Sequence, residues 1–181
     1  FEISSDFEIN EDTFIDIALF GDDIDGDLLI FSATADDNST VNVNDNMLTV
    51  TPNQDYNGLI LTEVVASDGE FSDTTSFTLT VLPVNDAPVL DNIEDQEINE
   101  DGSLSFTLTA SDIDEDQLTY SAESNDNAIV TVTDDQLLVE PILNFNGQIP
   151  VTVFVSDGEL NDLQTFTLTV LPTNDAPEIF E

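Results

Sequence analysis

Three aspartates at alternate positions, Asp112, Asp114 and Asp116, have the type and spacing to do chemistry. Ca²⁺ takes six to eight oxygen ligands at about 2.3–2.6 Å, whereas Mg²⁺ requires a tighter octahedron and keeps its water. An EF-hand loop needs glycine at its sixth position, but Gln117 stands there and the following residues alternate as in a strand. The run therefore predicts a Ca²⁺-binding turn placed before a β-strand.

The charge balance strengthens this interpretation. The chain has Asp+Glu 40, Lys+Arg 0 and His 0, giving a net charge of −40. Two carboxylates about 5 Å apart at an effective dielectric of about 20 repel each other by roughly 3 kcal/mol. Because no side-chain cation is available, each carboxylate must be solvated, accept backbone N–H hydrogen bonds or bind a metal ion. A solvated turn is the alternative for Asp112, Asp114 and Asp116, but closely clustered carboxylates need a cation or must take up protons.

The same composition excludes several functions. Without His, Cys, Lys or Arg there is no catalytic triad, thiolate or Schiff base, and no zinc site of the Cys/His type, so an enzyme is not predicted. The negative charge argues against nucleic acid and anionic membranes as partners. No apolar run approaches 18 residues, so membrane insertion is not expected.

The aspartate run belongs to a repeat. Asp112 follows Asp23 by 112 − 23 = 89 residues, and the same offset relates Asn85-Asp86-Ala87-Pro88 to Asn174-Asp175-Ala176-Pro177. A long period of strand-like sequence predicts an array of small β domains. We expect repeat 1 at 1–86, repeat 2 at 87–175 and the start of a further repeat at 176–181. Phe1 in place of Met suggests a mature or internal fragment.

The elements that must position the aspartates are short strands. Leu104, Phe106 and Leu108 alternate with polar residues, and Asn-Gly or Asp-Gly turns separate such runs. Seven strands per repeat predict an all-β, Ig-like sandwich. In repeat 1 they are expected near 7–9, 14–20, 28–33, 40–43, 47–51, 60–66 and 74–82.

Several motifs in order resemble cadherin-like repeats of large bacterial surface and secreted proteins. They are Asn10-Glu11-Asp12, the Asn85–Pro88 segment, Asp112-Ile113-Asp114 before a strand with Tyr120, and Ser156-Asp157-Gly158. The resemblance covers the whole chain, and each motif occurs twice or has a close counterpart. It implies two tandem seven-stranded Greek-key sandwiches with Ca²⁺ at the junction between them.

The resemblance also implies a set of metal ligands. Where the family has an Asp-Arg-Glu motif this chain has Gln54-Asp55-Tyr56-Asn57, so only Asp55 could contribute, and Asp116 could replace a missing asparagine. The expected junction ligands are Glu11, Asp55, Asn85, Asp86, Asp112, Asp114, Asp116 and Asp157. Two half-sites are expected as well, one at Asp23, Asp25, Asp27 and Asp68 and the other at Glu100, Asp101, Asn174 and Asp175.

The resulting functional hypothesis is a non-enzymatic extracellular module, with Ca²⁺ stiffening a stalk, adhesin or fibre. Its partners would be neighbouring repeats or identical subunits, and a cell-surface protein or glycan. One alternative is a carbohydrate- or protein-binding module appended to a secreted enzyme. Another is self-assembly into filaments through the terminal segments Phe1-Glu2-Ile3 and Ile179-Phe180.

Overall fold

The computed structural model describes residues 6–177, and the elements it forms there are β-strands. The chain divides into two compact units, unit 1 (Phe1–Val84) and unit 2 (Asn85–Glu181). The expected boundary at 86/87 lies close to this division and stays a prediction. The expected terminal contacts of Phe1-Glu2-Ile3 and Ile179-Phe180, and most of the further repeat, lie outside the described residues.

Unit 1 is a sandwich of two sheets. The larger has the order β1-β7-β6-β3, in which β1 runs parallel to β7, and the smaller has the order β2-β5-β4. The strands are β1 (Asp6–Asn10), β2 (Ile15–Ala18), β3 (Ile30–Ala35), β4 (Ser39–Asn44), β5 (Met47–Pro52), β6 (Gly58–Ser67) and β7 (Ser72–Leu82). Each of the seven lies within a few residues of its predicted position.

Unit 2 repeats this architecture with the sheets β12-β15-β16-β9 and β10-β14-β13. A two-stranded ladder of β8 and β11 is added. The strands are β8 (Val89–Leu90), β9 (Gln96–Asn99), β10 (Leu104–Thr107), β11 (Ala110–Ser111), β12 (Thr119–Ser124), β13 (Ala128–Thr133), β14 (Gln136–Pro141), β15 (Gly147–Ser156) and β16 (Asn161–Leu171). The position equivalent to Leu90 in unit 1 is Phe1 (90 − 89 = 1), outside the described residues.

Each unit has its own core, built from the inward face of alternating strands. Leu48, Ile60 and Leu79 are buried in unit 1, and Leu137 and Ile149 are buried in unit 2. Alternation places one face of each strand in the core and the other in water, and the two sheets of each unit enclose that core between them. The predicted fold class, tandem Ig-like all-β sandwiches, is confirmed.

Candidate metal centre

The aspartate turn of unit 2 is held by its own backbone. Asp112 Oδ1 accepts hydrogen bonds from the backbone N–H groups of Asp114 (3.0 Å) and Asp116 (3.2 Å). Glu115 closes the turn in the left-handed region at φ 61°. One carboxylate oxygen from each of the three aspartates lies within 4.8 Å of the others. Such a spacing of oxygens suits a single hard cation.

The second oxygen of Asp112 provides the test of whether a cation fits. Asp112 Oδ2 is buried, and no residue within 6–177 donates a hydrogen bond to it. A buried carboxylate oxygen without a partner is costly, because it has lost its water and gained nothing in exchange. A bound Ca²⁺ would supply the missing interaction, so the residues present fit the ion.

The first two residues of unit 2 are hydrogen-bonded to Asp114 of this turn and to Asp157. The backbone N–H of Asp86 donates to Asp114 Oδ2 (2.8 Å), and the Asn85 side-chain amide donates to Asp157 Oδ2 (2.9 Å). Asp157 Oδ1 also accepts from the N–H groups of Glu159 and Leu160, each at 2.6 Å. The Asn85 amide, followed by these backbone donors, holds the pKa of Asp157 below its ordinary value of 3.8, although partial burial opposes the shift.

Asp162 and Gln164 also bind the backbone near the start of unit 2, and these roles were not predicted from the sequence. Asp162 Oδ2 accepts from the N–H of Leu90 (2.9 Å), and Gln164 donates to the Leu90 carbonyl (2.9 Å). Leu90 itself is buried in the core of unit 2. The signal that could have found Asp162 is its recurrence as Asp73, 89 residues earlier, within a strand rather than a turn.

In unit 1, Glu11 and Asp55 lie at the end where the chain leaves β7. Glu11 is buried, and its Oε1 accepts from the backbone N–H of Val84 (2.6 Å). Asp12 Oδ1 accepts from the N–H of Asp55 (3.2 Å), and Asp12 and Asp55 both have positive φ, at 57° and 55°. The Asp12 side chain thus stabilises a left-handed turn, a structural role that the sequence did not indicate.

The corresponding end of unit 2 repeats these contacts. Glu100 is buried and accepts from the backbone N–H of Thr173, while Asp101 Oδ1 accepts from the N–H of Asn144 (3.0 Å). Asn174 donates to the carbonyl of Asp175 (3.1 Å), and Asn174 and Asp175 are exposed. Within residues 6–177 the acids of this end do not form a close group of three carboxylates.

The aspartate turn of unit 1 has the same backbone but a different side-chain arrangement. Asp23 Oδ1 accepts from the N–H groups of Asp25 (2.8 Å) and Asp27 (3.1 Å), and Gly26 has φ 82°. In the described part of the chain these aspartates do not meet within the distance found at Asp112. Backbone N–H donors, that of Phe71 first and then that of Glu70, lower the pKa of the nearby Asp68.

A family model describes this pair of sandwiches. The model for the bacterial Ig domain matches twice, at residues 3–81 and 85–171. The chain belongs to the bacterial Ig domain family. The family match and the strand order agree on tandem repeats of one Ig-like domain. No curated protein matches the chain significantly.

The chain is similar to parts of solved structures of other proteins. Domains EC1-2 of human protocadherin-24 share 16% identity with a TM-score of 0.52, covering 89% of this chain and 88% of that one. An endo-fucoidan hydrolase of glycoside hydrolase family 107 shares 22% identity with a TM-score of 0.40, over 94% of this chain. This bacterial Ig pair spans 28% of that hydrolase's length. The resemblance to cadherin-like repeats is confirmed at the level of the fold.

No helix within residues 6–177 has the length and apolar character needed to cross a membrane.

Proposed function

We propose that this pair of bacterial Ig domains is a non-enzymatic extracellular spacer whose joint is stiffened by Ca²⁺. The observation that carries the proposal is the turn at Asp112, where three carboxylates converge and one buried oxygen has no hydrogen-bond donor among the described residues. The sequence has no side-chain cation that could take the place of a metal ion. A divalent cation is therefore the partner that best suits these oxygens.

The proposed ligands come from both units. Asp112, Asp114, Asp116 and Asp157 belong to unit 2, as do Asn85 and Asp86. Unit 1 contributes Glu11, whose carboxylate holds Val84, the residue joined covalently to Asn85. Asp55 is a further candidate. A cation bound by both sets would restrict the rotation of one sandwich against the other.

Ca²⁺ would act here as a fixed charge rather than as a catalyst. It offsets the repulsion among the carboxylates and satisfies the buried Asp112 oxygen. The sequence contains no His, Cys, Lys or Arg to act as a nucleophile or as a cationic clamp on a substrate. A structural role in an array is therefore favoured over hydrolysis.

An extracellular location supports this role. Domains of this type are typically extracellular, where modules bind Ca²⁺ with Kd values of about 10⁻⁴–10⁻³ M. The partners proposed for the joint are the neighbouring repeats of an array, with a cell-surface protein or glycan as a candidate adhesive ligand. The half-sites at Asp23, Asp25, Asp27 and Asp68, and at Glu100, Asp101, Asn174 and Asp175, would bind Ca²⁺ weakly unless another domain adds ligands.

Calorimetric titration with Ca²⁺ and with Mg²⁺ tests the proposal. The wild-type chain should bind Ca²⁺ saturably and in preference to Mg²⁺, and Asp112→Asn should weaken binding. Asp23→Asn changes the same position of the unit 1 turn and should leave that binding intact, which makes it the matched control. Equal binding by the wild type and Asp112→Asn would refute the assignment.

Small-angle scattering tests the stiffening separately. With Ca²⁺ the distribution of interatomic distances should be narrow, and a chelator should broaden it while circular dichroism keeps its β signature. Identical scattering in both conditions would show that Ca²⁺, even if bound, does not restrict the joint.

A further inference from the structure

One asparagine of unit 1 begins a pattern that no other asparagine of the chain has. Asn38 is followed by Ser39 and Thr40, and of all the asparagines in the sequence it alone has Ser or Thr two positions later. Asn-x-Ser/Thr, with x other than proline, is the acceptor pattern for N-linked glycans on surface loops of secreted proteins. Whether the folded chain presents this acceptor to an enzyme depends on the structure around it.

Asn38 lies in a β-turn between β3 and β4. The N–H of Ser39 donates to the Asp36 carbonyl (3.3 Å), which closes the turn with Asp37 and Asn38 at its two central positions. The Asn38 N–H donates to Asp36 Oδ1 (3.0 Å), and the Asn38 carbonyl accepts from the N–H of Asn53 (2.8 Å). The turn is therefore held through the backbone of Asn38.

The side-chain amide of Asn38 is left available. Within residues 6–177 it takes part in no hydrogen bond, and neither of its polar atoms is fully buried. By contrast, the amides of Asn46 and Asn53, also in unit 1, donate to backbone carbonyls. A sugar joined to the Asn38 nitrogen would therefore break none of the hydrogen bonds that hold the turn.

The hydroxyl two residues later is also accessible. Thr40 is exposed on β4, which forms one edge of the sheet β2-β5-β4. Strand alternation turns Thr40 toward water, whereas Val41 and Val43 pack against the core of unit 1. An enzyme that approaches the turn can therefore reach both the amide and the hydroxyl of the acceptor pattern.

The equivalent turn of unit 2 lacks the hydroxyl. Asn127 is the equivalent asparagine at an offset of 89, and the N–H of Ala128 closes the turn to the Asn125 carbonyl (3.4 Å). Ile129 takes the place of Thr40. Asparagine is favoured in turns for conformational reasons alone. The turn therefore explains an asparagine in both repeats, and the hydroxyl is what distinguishes unit 1.

We propose that Asn38 is an N-linked glycosylation site, and that the sugar donor is an oligosaccharide carried on a lipid pyrophosphate. Asn38 Nδ2 forms a bond to the anomeric carbon of the sugar, and the bond from that carbon to the phosphate oxygen breaks. The lipid pyrophosphate leaves with the electron pair, and the amide nitrogen gives up one proton.

This chemistry explains why both side chains are needed. An amide nitrogen is a weak nucleophile, because its lone pair is delocalised into the carbonyl group. The transferase must therefore position Asn38 closely, and the Thr40 hydroxyl is the group by which it binds the acceptor. Ile129 offers no such group, so Asn127 should stay unmodified.

Mass spectrometry of the chain isolated from the cells that produce it tests the proposal. The chain has no Lys or Arg for trypsin, so a protease that cuts before aspartate is used, which releases peptides 37–44 and 126–133 from the two turns. Peptide 37–44 should carry one oligosaccharide, and peptide 126–133 should carry none. Electron-transfer fragmentation should locate the sugar on Asn38 and not on the hydroxyl of Ser39 or Thr40.

Substitutions taken from unit 2 supply matched variants. Thr40→Ile removes the required hydroxyl and should abolish the modification, whereas Ser39→Ala keeps the acceptor pattern and should keep the glycan. Each variant takes the residue that unit 2 has at the same position, so both should fold. Conversely, Ile129→Thr completes the pattern in unit 2 and should add an oligosaccharide at Asn127.

Any of four results would overturn the proposal. They are an unmodified Asn38 in the wild type, a sugar on Ser39 or Thr40 in its place, a glycan that survives Thr40→Ile, and an unmodified Asn127 in Ile129→Thr. The inference shares only the extracellular location with the proposed function. Ca²⁺ titration of Thr40→Ile, which keeps all the proposed metal ligands, reports the joint alone, so failure of glycosylation and failure of the proposed function are distinguishable.

Discussion

In both units the first aspartate of the Asp-x-Asp-x-Asp turn accepts hydrogen bonds from the N–H groups two and four residues later. In both, the fourth residue of the turn has positive φ, at Gly26 and at Glu115. Yet of the two turns, only that of unit 2 brings its three carboxylates within 4.8 Å of one another among the described residues. The backbone of the turn is therefore not what gathers the carboxylates.

In unit 2 the first two residues hydrogen-bond to carboxylates of the candidate site. The N–H of Asp86 holds Asp114, and the side chain of Asn85 holds Asp157. At the candidate metal site of unit 2, convergence of the three carboxylates is thus accompanied by backbone and side-chain donors that orient Asp114 and Asp157.

The largest difference between the two aspartate turns is expected in the stability that each contributes through Ca²⁺ binding. At a concentration of 100 Kd, Ca²⁺ should stabilise the chain by about 2.7 kcal/mol, because it binds the folded site and not the unfolded chain. Asp114→Asn should lose much of this gain, and Asp25→Asn should keep it. Thermal melts with and without chelator measure the effect, and an equal loss in the two variants would show that the two turns do not differ.

The cores of the two units should differ at one matched position. Thr62 is fully buried on β6, its hydroxyl has no hydrogen-bond partner within residues 6–177, and unit 2 has Val151 at the same place. Thr62→Val should stabilise unit 1 by about 1–2 kcal/mol, and Val151→Thr should destabilise unit 2 by a similar amount.

Urea unfolding followed by hydrogen exchange of peptides from each unit would measure these changes. Thr78→Val, at a half-buried site on β7, serves as the control for a change in β propensity. No gain from Thr62→Val would mean that the hydroxyl is satisfied in solution.

Removal of the carboxylate that holds the left-handed turn should cost the same free energy of unfolding at Asp55 in unit 1 and at Asn144 in unit 2. Asp12→Ala and Asp101→Ala each remove the carboxylate that accepts the backbone N–H of the turn. Each should cost about 1 kcal/mol of the free energy of unfolding, the usual value for one hydrogen bond at a partly solvated site. Chelator should be present during the denaturant titration, and a cost confined to one unit would break the structural equivalence of the repeats.

The smallest difference between the two units is expected in how their stability depends on acidic pH. The pKa values of Asp68 and Asp157 are lowered in the folded chain, so the unfolded chain binds more protons. Their stabilising contribution is present above the unfolded pKa, about 3.9, and is lost as pH falls through the lower folded values. Asn85→Ala should raise the pKa of Asp157 and leave that of Asp68 unchanged.

Carboxyl ¹³C titration by NMR in chelator would follow both groups. An unchanged pKa of Asp157 in Asn85→Ala would mean that the Asn85 amide is not the main cause of its shift.

Much of the fold could be predicted from local patterns. Alternation at Leu104, Phe106 and Leu108 places three residues on one face of the chain, and the structure turns that face toward the core. Unit 1 has the seven strands that were expected. The short ladder of β8 and β11 was not expected, because two-residue strands leave too little pattern to recognise.

The candidate site could be predicted less fully. The Asp112 turn was found because its spacing is local and repeats. The roles of Asp12 as an acceptor for the Asp55 turn, and of Asp162 as an acceptor for Leu90, were missed because each joins residues far apart in the chain. Whether Glu11, Asp55 and the unit 2 ligands bind one ion stays a prediction.

The sequence by itself determined that the chain folds as two repeated β-sandwiches and that clustered acids would meet no side-chain cation. Alternation, turn residues and composition are properties of neighbouring residues, so they can be read without coordinates. Only the tertiary structure decided which acids converge. The bonds from Asp86 to Asp114 and from Asn85 to Asp157 join residues 28 and 72 positions apart, and they form because the packed sheets bring those loops to the same end of unit 2.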